Sequence, residues 1–339
     1  MSGQQTDSSI DDDRLQVVAA VIRRGDGHIL LSRRPAHVDQ GNLWEFPGGK
    51  RHAGEARVDA LARELDEELG ITIRRAIPLI RVPHDYATRR VLLDVFVVDR
   101  WQGTPHGREG QEIRWVAPSA LDAHAFPAAN LPIVNAARLP RACVVTPAPD
   151  AGPPAFIEAL DACLARGARL VQLRAPALSP AAYRALAVSA LACCRARGAR
   201  LLLNAEPALA LELGADGAHL DARRLAATAT RPVPRTVLLS AACHDADELA
   251  QAQRIGVDFV LISPVLATAS HPAARPLGWS AVAALLAPSA LPAYALGGVG
   301  PAQFDEALRA GCIGIAGIGA FWNGDAALDD EALSESLGL

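Results

Sequence analysis

The chain has 339 residues, half of them apolar and 21% charged, with a formal net charge of −4. That length suits two domains of ordinary size, and the composition is that of a folded globular protein. The slight acidity offers no positive field to a nucleic-acid polymer, which excludes that partner but not a nucleotide, and no run of about 18 apolar residues offers a membrane span.

Residues 1–13 are polar and end in Asp11-Asp12-Asp13. They lack the basic start and apolar centre of a secretion signal and read as a disordered tail. The pattern predicts a strand over 15–23, a turn at Gly25-Asp26-Gly27 and a returning strand over 28–33. Residues 56–69 have helix-forming composition, with Gly70 placed to end the helix. Further strands are predicted over 91–99, closed by Arg100-Trp101-Gln102-Gly103, and over 112–116.

Near residue 140 the pattern changes, and Arg138-Leu139-Pro140-Arg141 reads as a short linker. Beyond it, short apolar strands are predicted over 142–146, 170–173, 201–203, 217–220, 237–240, 259–262, 293–296 and 313–318. Helical stretches such as 154–166 and 180–197 separate them. Eight strand–helix units in so short a span predict a compact (β/α)8 barrel. The six cysteines all lie in this half, without C-x-x-C spacing. They read as small buried hydrophobes of a reducing, cytoplasmic protein rather than as disulfides or zinc ligands.

The strongest chemical signal straddles the first predicted helix. Gly49-Lys50-Arg51-His52-Ala53-Gly54-Glu55, then seven residues, then Arg63-Glu64-Leu65-Asp66-Glu67-Glu68-Leu69-Gly70-Ile71 fit the frame G-x5-E-x7-R-E-U-x-E-E-x-G-U at all nine specified positions, U being a bulky aliphatic. Glu64, Glu67 and Glu68 stand at i, i+3 and i+4 and share one helical face. Three carboxylates there repel one another unless a cation lies among them, and hard oxygen donors suit Mg2+ or Mn2+. Such an ion would neutralise a diphosphate and help to activate water. The glycines before the helix let the backbone turn sharply and approach a ligand. An isolated E-x-x-E-E would read as a solvated acidic face with Arg63 pairing to Glu67; the complete frame favours the metal.

That frame is the Nudix signature, and residues 15–137 resemble the MutT-type Nudix hydrolases, the 8-oxo-dGTP diphosphatases. Leu43-Trp44-Glu45-Phe46-Pro47-Gly48-Gly49-Lys50 resembles the segment leading into their signature, and Arg33-Arg34 follows the second strand as theirs does. Arg100-Trp101-Gln102-Gly103-Thr104-Pro105, Gly107-Arg108-Glu109-Gly110-Gln111 and Phe126-Pro127-Ala128-Ala129-Asn130 resemble later family segments. The resemblance implies an α/β/α sandwich with a mixed sheet over 14–138. It implies a metal held by Glu64, Glu67, Glu68 and the Gly48 carbonyl, with Glu109 as a further ligand or as the base that takes a proton from water. Arg63 would join the catalytic residues, Arg34 would contact phosphate and Lys50 would bind substrate. Asn130 would read the purine edge, because an amide offers both donor and acceptor. The implied reaction is water attack on a nucleoside triphosphate, 8-oxo-dGTP by preference, giving a monophosphate and pyrophosphate. Other nucleoside triphosphates, ADP-ribose and dinucleotides compete as substrates.

The second half, 139–339 as a domain, resembles thiamine-phosphate synthase and its TenI relatives over 142–322. The matching pieces are Val171-Gln172-Leu173-Arg174, Leu203-Asn204, Gly217-Ala218-His219-Leu220, Ser263-Pro264-Val265 and Ala295-Leu296-Gly297-Gly298-Val299. All fall near the C-terminal ends of predicted strands, where barrel enzymes place their sites. The resemblance implies a phosphate site built from Arg174, Asn204, Gly297, Gly298 and Gly319, for a phosphorylated thiazole or thiamine ligand. The departures are substantial. Ala175-Pro176-Ala177 stands where the synthase pattern has a lysine, and Asn204-Ala205 replaces its N-D, so a metal-binding aspartate is missing. Asp221-Ala222-Arg223-Arg224 replaces G-Q-x-D, and Thr268-Ala269-Ser270-His271 replaces T-x-T-K. A diphosphate leaving group needs its charge offset, so these losses argue against synthase chemistry. The expectation is a barrel that binds a phosphorylated ligand or supports the hydrolase. The alternatives are a thiamine-phosphate synthase that works with substituted residues, a thiazole tautomerase with His271 as acid/base, a bifunctional thiamine-pathway enzyme that joins either of these to a Nudix half removing a thiamine diphosphate analogue, and a phosphate-ligand sensor that regulates the hydrolase.

Overall fold

A strand as uniformly apolar as Leu15–Ile22 must be covered on both faces. In the computed structural model, which describes residues 13–268 and 273–335, it is an inner strand. The tail expected over 1–13 falls, except for Asp13, outside the described residues. The chain divides into two compact units, Met1–Arg138 and Leu139–Leu339.

The first unit contains β1 (Leu15–Ile22), β2 (Ile29–Arg33), β3 (Trp44–Glu45), β4 (Gly48–Lys50), β5 (Thr72–Asp85), β6 (Arg90–Gln102) and β7 (Ile113–Val116), with helices α1 (Arg57–Leu69) and α2 (Leu131–Ala137). A mixed sheet runs β4-β1-β6-β5, with β1 antiparallel to β4 and parallel to β6. A second, antiparallel sheet runs β3-β2-β7. The strands expected to form a hairpin around Gly25-Asp26-Gly27 therefore part company, and only the bridge Arg23↔Ile29 joins them. Each is instead the inner strand of its own sheet, β1 between β4 and β6 and β2 between β3 and β7.

The sequence reading omits β5, for a visible reason. It carries Pro78, Pro83 and three arginines, and its register against β6 shifts at three places. It is an edge strand with register shifts, and edges and bulges are where a sheet tolerates prolines, which lack an N–H donor.

Helix α1 ends as predicted at Gly70, whose φ of 68° is left-handed and whose N–H donates to the Asp66 carbonyl at 3.0 Å. Its Ala60, Leu61, Leu65 and Leu69 pack on Val18, Ala20 and Ile22 of β1 and on Phe96 and Val98 of β6. Glu68 follows Leu61 by two turns and so lies along the edge of this buried stripe, whereas Glu67 turns outward and is exposed.

The second unit closes into an eight-stranded parallel barrel, as its alternation predicts: β8 (Ala142–Val145), β9 (Leu170–Leu173), β10 (Arg200–Leu203), β11 (Gly217–Leu220), β12 (Leu238–Cys243), β13 (Phe259–Ile262), β14 (Ala293–Ala295) and β15 (Gly314–Gly317), with β15 pairing back to β8. Its helices are α3 (Pro153–Ala165), α4 (Pro180–Ala196), α5 (Pro207–Leu213), α6 (Ala222–Ala227), α7 (Ala246–Ile255), α8 (Trp279–Leu286), α9 (Phe304–Arg309), α10 (Gly319–Trp322) and α11 (Asp330–Glu335). The cysteines are free, five of them buried and Cys193 half-buried. Among the described residues no helix is long and apolar enough to cross a membrane.

Candidate functional site

In the first unit the carboxylates of α1 are organised by one arginine. Arg63 donates to both oxygens of Glu55 at 2.9 and 3.0 Å, to Glu64 at 2.8 Å, to Glu67 at 3.2 Å and to the Lys50 carbonyl at 3.0 Å. It thus ties the helix to the glycine-rich segment before it. The Arg63 hydrogen bonds, with a backbone N–H from His52, hold the Glu55 carboxyl down to about 2. Arg63 orients carboxylates in this geometry.

Glu68 is in the opposite condition. Burial pushes its carboxyl up to about 8, against a hydrogen bond from the Gly48 N–H at 3.2 Å, and the nearby charges of Glu45, Glu109 and Glu64 push it further. Glu109 reaches this cluster because its loop docks on the end of α1. The Arg108 N–H and the Gln111 side chain donate to the Glu68 carbonyl at 2.9 and 3.0 Å, and Gln111 Oε1 accepts from the Glu109 N–H at 2.9 Å. Glu45 was not among the residues expected to act. The signal was available: it is a carboxylate between the buried Trp44 and Phe46, three residues before a Gly-Gly pair.

The donor chemistry of this cluster fits a hard divalent cation: the charges of Glu64 and Glu109 act on the buried carboxyl of Glu68, which a cation would relieve by taking the place of its proton. The ligand group is not already drawn together, because among the described residues no three His, Cys, Asp or Glu side chains stand in a metal-holding group. Arg63 offsets the charge of Glu64 and Glu67 in the meantime.

Beside the carboxylates lies a cavity of about 230 Å³ whose wall includes Arg34, Glu45, Gly48, Lys50, Arg89 and Asn130. It brings four sequence-predicted residues together, Arg34, Gly48, Lys50 and Asn130, while Glu64, Glu67, Glu68 and Glu109 are not among the residues of its wall. Asn130 is 8% exposed and stands at the head of α2, yet makes no capping hydrogen bond with its side chain. Its amide is thus not explained by helix capping. Arg34, expected on phosphate, is engaged within the protein. It pairs with Glu45 and donates to the Asp39 carbonyl at 3.1 and 2.9 Å.

The barrel carries a second candidate site at the C-terminal ends of its strands, a cavity of about 940 Å³. Arg174, Asn204, Gly297, Gly298 and Gly319 all line it, so the structure brings the five residues expected at a phosphate site to one place. Gly297 and Gly298 have φ of 95° and 67°, and a Cβ on them would meet Pro264 Cα at 2.9 Å and the Ala267 carbonyl at 2.4 Å. Packing alone therefore demands glycine at both positions, whereas Gly319 faces open space. Asn204 donates to Gln172 Oε1 at 3.3 Å. His271 lies outside the described residues.

His219 is buried in the cavity wall with Nδ1 2.8 Å from Ser240 Oγ, and burial pushes its imidazole down to about 3. It is neutral in the folded protein, whereas an unfolded histidine takes a proton near 6.5, so the unfolded state binds more protons between about 3 and 6.5. Stability should therefore fall as pH falls from 6.5 towards 3. His219→Asn should flatten that slope, as read by denaturant unfolding at pH 7 and pH 5; an unchanged slope would mean that His219 does not supply it.

Residues 18–136 match the Nudix domain family and residues 142–321 match the thiamine monophosphate synthase family. The 8-oxo-dGTP diphosphatase of Escherichia coli strain K12 is 38% identical over 121 residues, 36% of this chain and 94% of that one. The CTP pyrophosphohydrolase of the same strain is 38% identical over 122 residues, 36% of this chain and 90% of that one. A solved structure of thiamine phosphate pyrophosphorylase from Pyrococcus furiosus is 21% identical, with a TM-score of 0.50 covering 58% of this chain and 97% of that one. That last likeness concerns the barrel fold alone.

Proposed function

We propose, on the premise that this chain belongs to the Nudix family and to the thiamine monophosphate synthase family, that its first unit converts 8-oxo-dGTP and water to 8-oxo-dGMP and pyrophosphate, and that its second unit binds a phosphorylated ligand without synthase chemistry. The first unit is a Nudix hydrolase acting on phosphorus anhydrides. The observation that carries the finer reading is Asn130, buried at a cavity wall with an amide not spent on capping, next to Gly48 and the carboxylate cluster.

Nudix hydrolases work with a divalent metal, here Mg2+ or Mn2+. Glu64, Glu67, Glu68 and the Gly48 carbonyl would hold it, and it would supply charge neutralisation at the diphosphate. Arg63 holds the carboxylates in place. Glu109 completes the ligand set or takes the proton from water. Lys50 and Arg34 face the phosphates, and Arg34 shares its guanidinium between Glu45 and the incoming anion. Asn130 pairs with the purine edge and so discriminates the oxidised base. Removal of 8-oxo-dGTP would keep a damaged nucleotide out of DNA.

Substrate choice is tested by pyrophosphate release from 8-oxo-dGTP, dGTP and CTP, and by orthophosphate release from thiamine diphosphate, whose single anhydride yields thiamine monophosphate and orthophosphate. Losing hydrogen bonds to a desolvated base costs about 1–3 kcal/mol, so Asn130→Ala should cut the preference for 8-oxo-dGTP over dGTP by about 10- to 100-fold. An unchanged preference would remove Asn130 from base reading, and cleavage of CTP or thiamine diphosphate alone would move the biological role while leaving the hydrolase chemistry.

For the barrel, a phosphorylated thiazole or thiamine is the expected ligand. Ala205 and Ala175-Pro176-Ala177 stand where the synthase pattern has an acidic metal ligand and a lysine, which supports binding without condensation. Expression of the chain should fail to rescue a thiamine auxotroph lacking its own synthase; growth would restore the synthase reading.

A further inference from the structure

Three arginines serve the barrel mouth in different ways. Arg174, at the end of β9, is half-buried, and Arg223, in the first turn of α6, is exposed; both line the cavity. Neither guanidinium has a hydrogen-bond or ion-pair partner among the described residues. Arg224 is a hub. Its Nη1 donates to Asn204 Oδ1 at 3.1 Å and to Asp221 Oδ2 at 2.7 Å, its Nε donates to Glu206 Oε1 at 3.0 Å, and its backbone N–H donates to Asp221 Oδ1 at 2.8 Å. Asp221 is the one acid among the described residues of the cavity wall, and Glu206 is the next acid beyond β10. Both are held by the same guanidinium.

A divalent cation needs anionic oxygens turned towards it. At this mouth those oxygens already face a positive charge that is part of the chain. We infer that the barrel binds a phosphomonoester without a divalent metal: Arg224 neutralises the acidic corner, and Arg174 and Arg223 meet the phosphate. The charge count agrees, since a phosphomonoester carries about −1.5 to −2 at neutral pH and two free guanidiniums await it. A cavity of about 940 Å³ accommodates the organic body of such a ligand. The two units would then differ in kind, the first depending on metal and the second indifferent to it. This inference rests on the proposed reading of the barrel as a ligand-binding unit.

Equilibrium dialysis of the full chain against thiamine monophosphate, in EDTA and in excess magnesium, tests it. The same Kd is expected in both buffers. Arg174→Ala should weaken binding in both by about 10-fold or more, the loss of one charge-assisted pair. Arg224→Ala should weaken binding in EDTA and make it magnesium-dependent, because Asp221 and Glu206 are released; Arg224→Lys, which keeps the charge, should retain binding in EDTA. Melting curves check that the variants fold. Binding by the parent chain only in magnesium overturns metal independence and leaves the ligand-binding reading intact. No binding in either buffer overturns both.

Discussion

Glu68→Gln should lower kcat for 8-oxo-dGTP hydrolysis by about 10³-fold, equivalent to about 4 kcal/mol of transition-state stabilisation. The amide has the shape of the carboxylate and can still accept from the Gly48 N–H, so the fold has no reason to change. What disappears is a carboxyl on α1 that can give up its proton to a cation, at the place where the charges of Glu45, Glu64 and Glu109 act on it. Without metal, charging it is unfavourable, because it is buried near like charges, and its carboxyl is accordingly pushed up to about 8. Glu68→Gln should therefore melt no lower than the parent chain in EDTA, and magnesium should raise the Tm of the parent chain and raise that of the variant less. Activity, and the magnesium-induced shift in Tm, separate a metal-binding role from a structural one. A variant within about tenfold of the parent kcat would show that the reaction does not pass through this cluster.

Gly49→Ala should cost about 10²-fold in kcat without altering any charged group, the scale expected when a catalytic group is displaced by about an ångström. A methyl at this position would lie 2.2 Å from Glu64 Oε2 and 2.3 Å from Glu64 Cδ, so the carboxylate must move. The obstruction is the far end of a flexible side chain, and Gly49 does not have a left-handed φ, so the backbone accepts alanine and folding survives. Gly25→Ala is the control, since a Cβ there meets nothing within 4 Å and its φ is ordinary; it should leave kcat unchanged. Combining Gly49→Ala with Glu64→Asp, whose side chain is one methylene shorter, should give less than the sum of the two separate losses, because the shorter side chain leaves room for the methyl. Parent-like kcat in Gly49→Ala would mean that Glu64 need not occupy its present position.

The two halves of this chain differ in how much of their family's residue pattern they keep. The Nudix half keeps every specified residue of its signature, with Arg63 paired to Glu64 and the bare Cα of Gly49 leaving room for the Glu64 carboxylate. The barrel half keeps the fold and the cavity, while the acids that remain at its mouth are bound by Arg224. A barrel is stabilised by its apolar strands and tolerates exchange of the residues at their ends, so fold and reaction can part there.

Local pattern was enough for much of this. The helix from Arg57 to Leu69 with its stop at Gly70, the eight barrel strands, the carboxylate triplet and the convergence of Arg174, Asn204, Gly297, Gly298 and Gly319 at one end of the barrel were all legible, because periodicity and strand-end position act over a few residues. Pairing between distant segments was not. The division of β1 and β2 between two sheets, the proline-bearing edge strand β5, the Arg34–Glu45 pair, the approach of Glu109 to Glu68 and the Arg224 hub each depend on which segments the tertiary fold brings alongside one another. The sequence by itself determined which groups are available and on which face of each element they stand. Only the tertiary structure decided which charges meet, because burial and distance, which set the strength of every ionic contact, are properties of the packed chain.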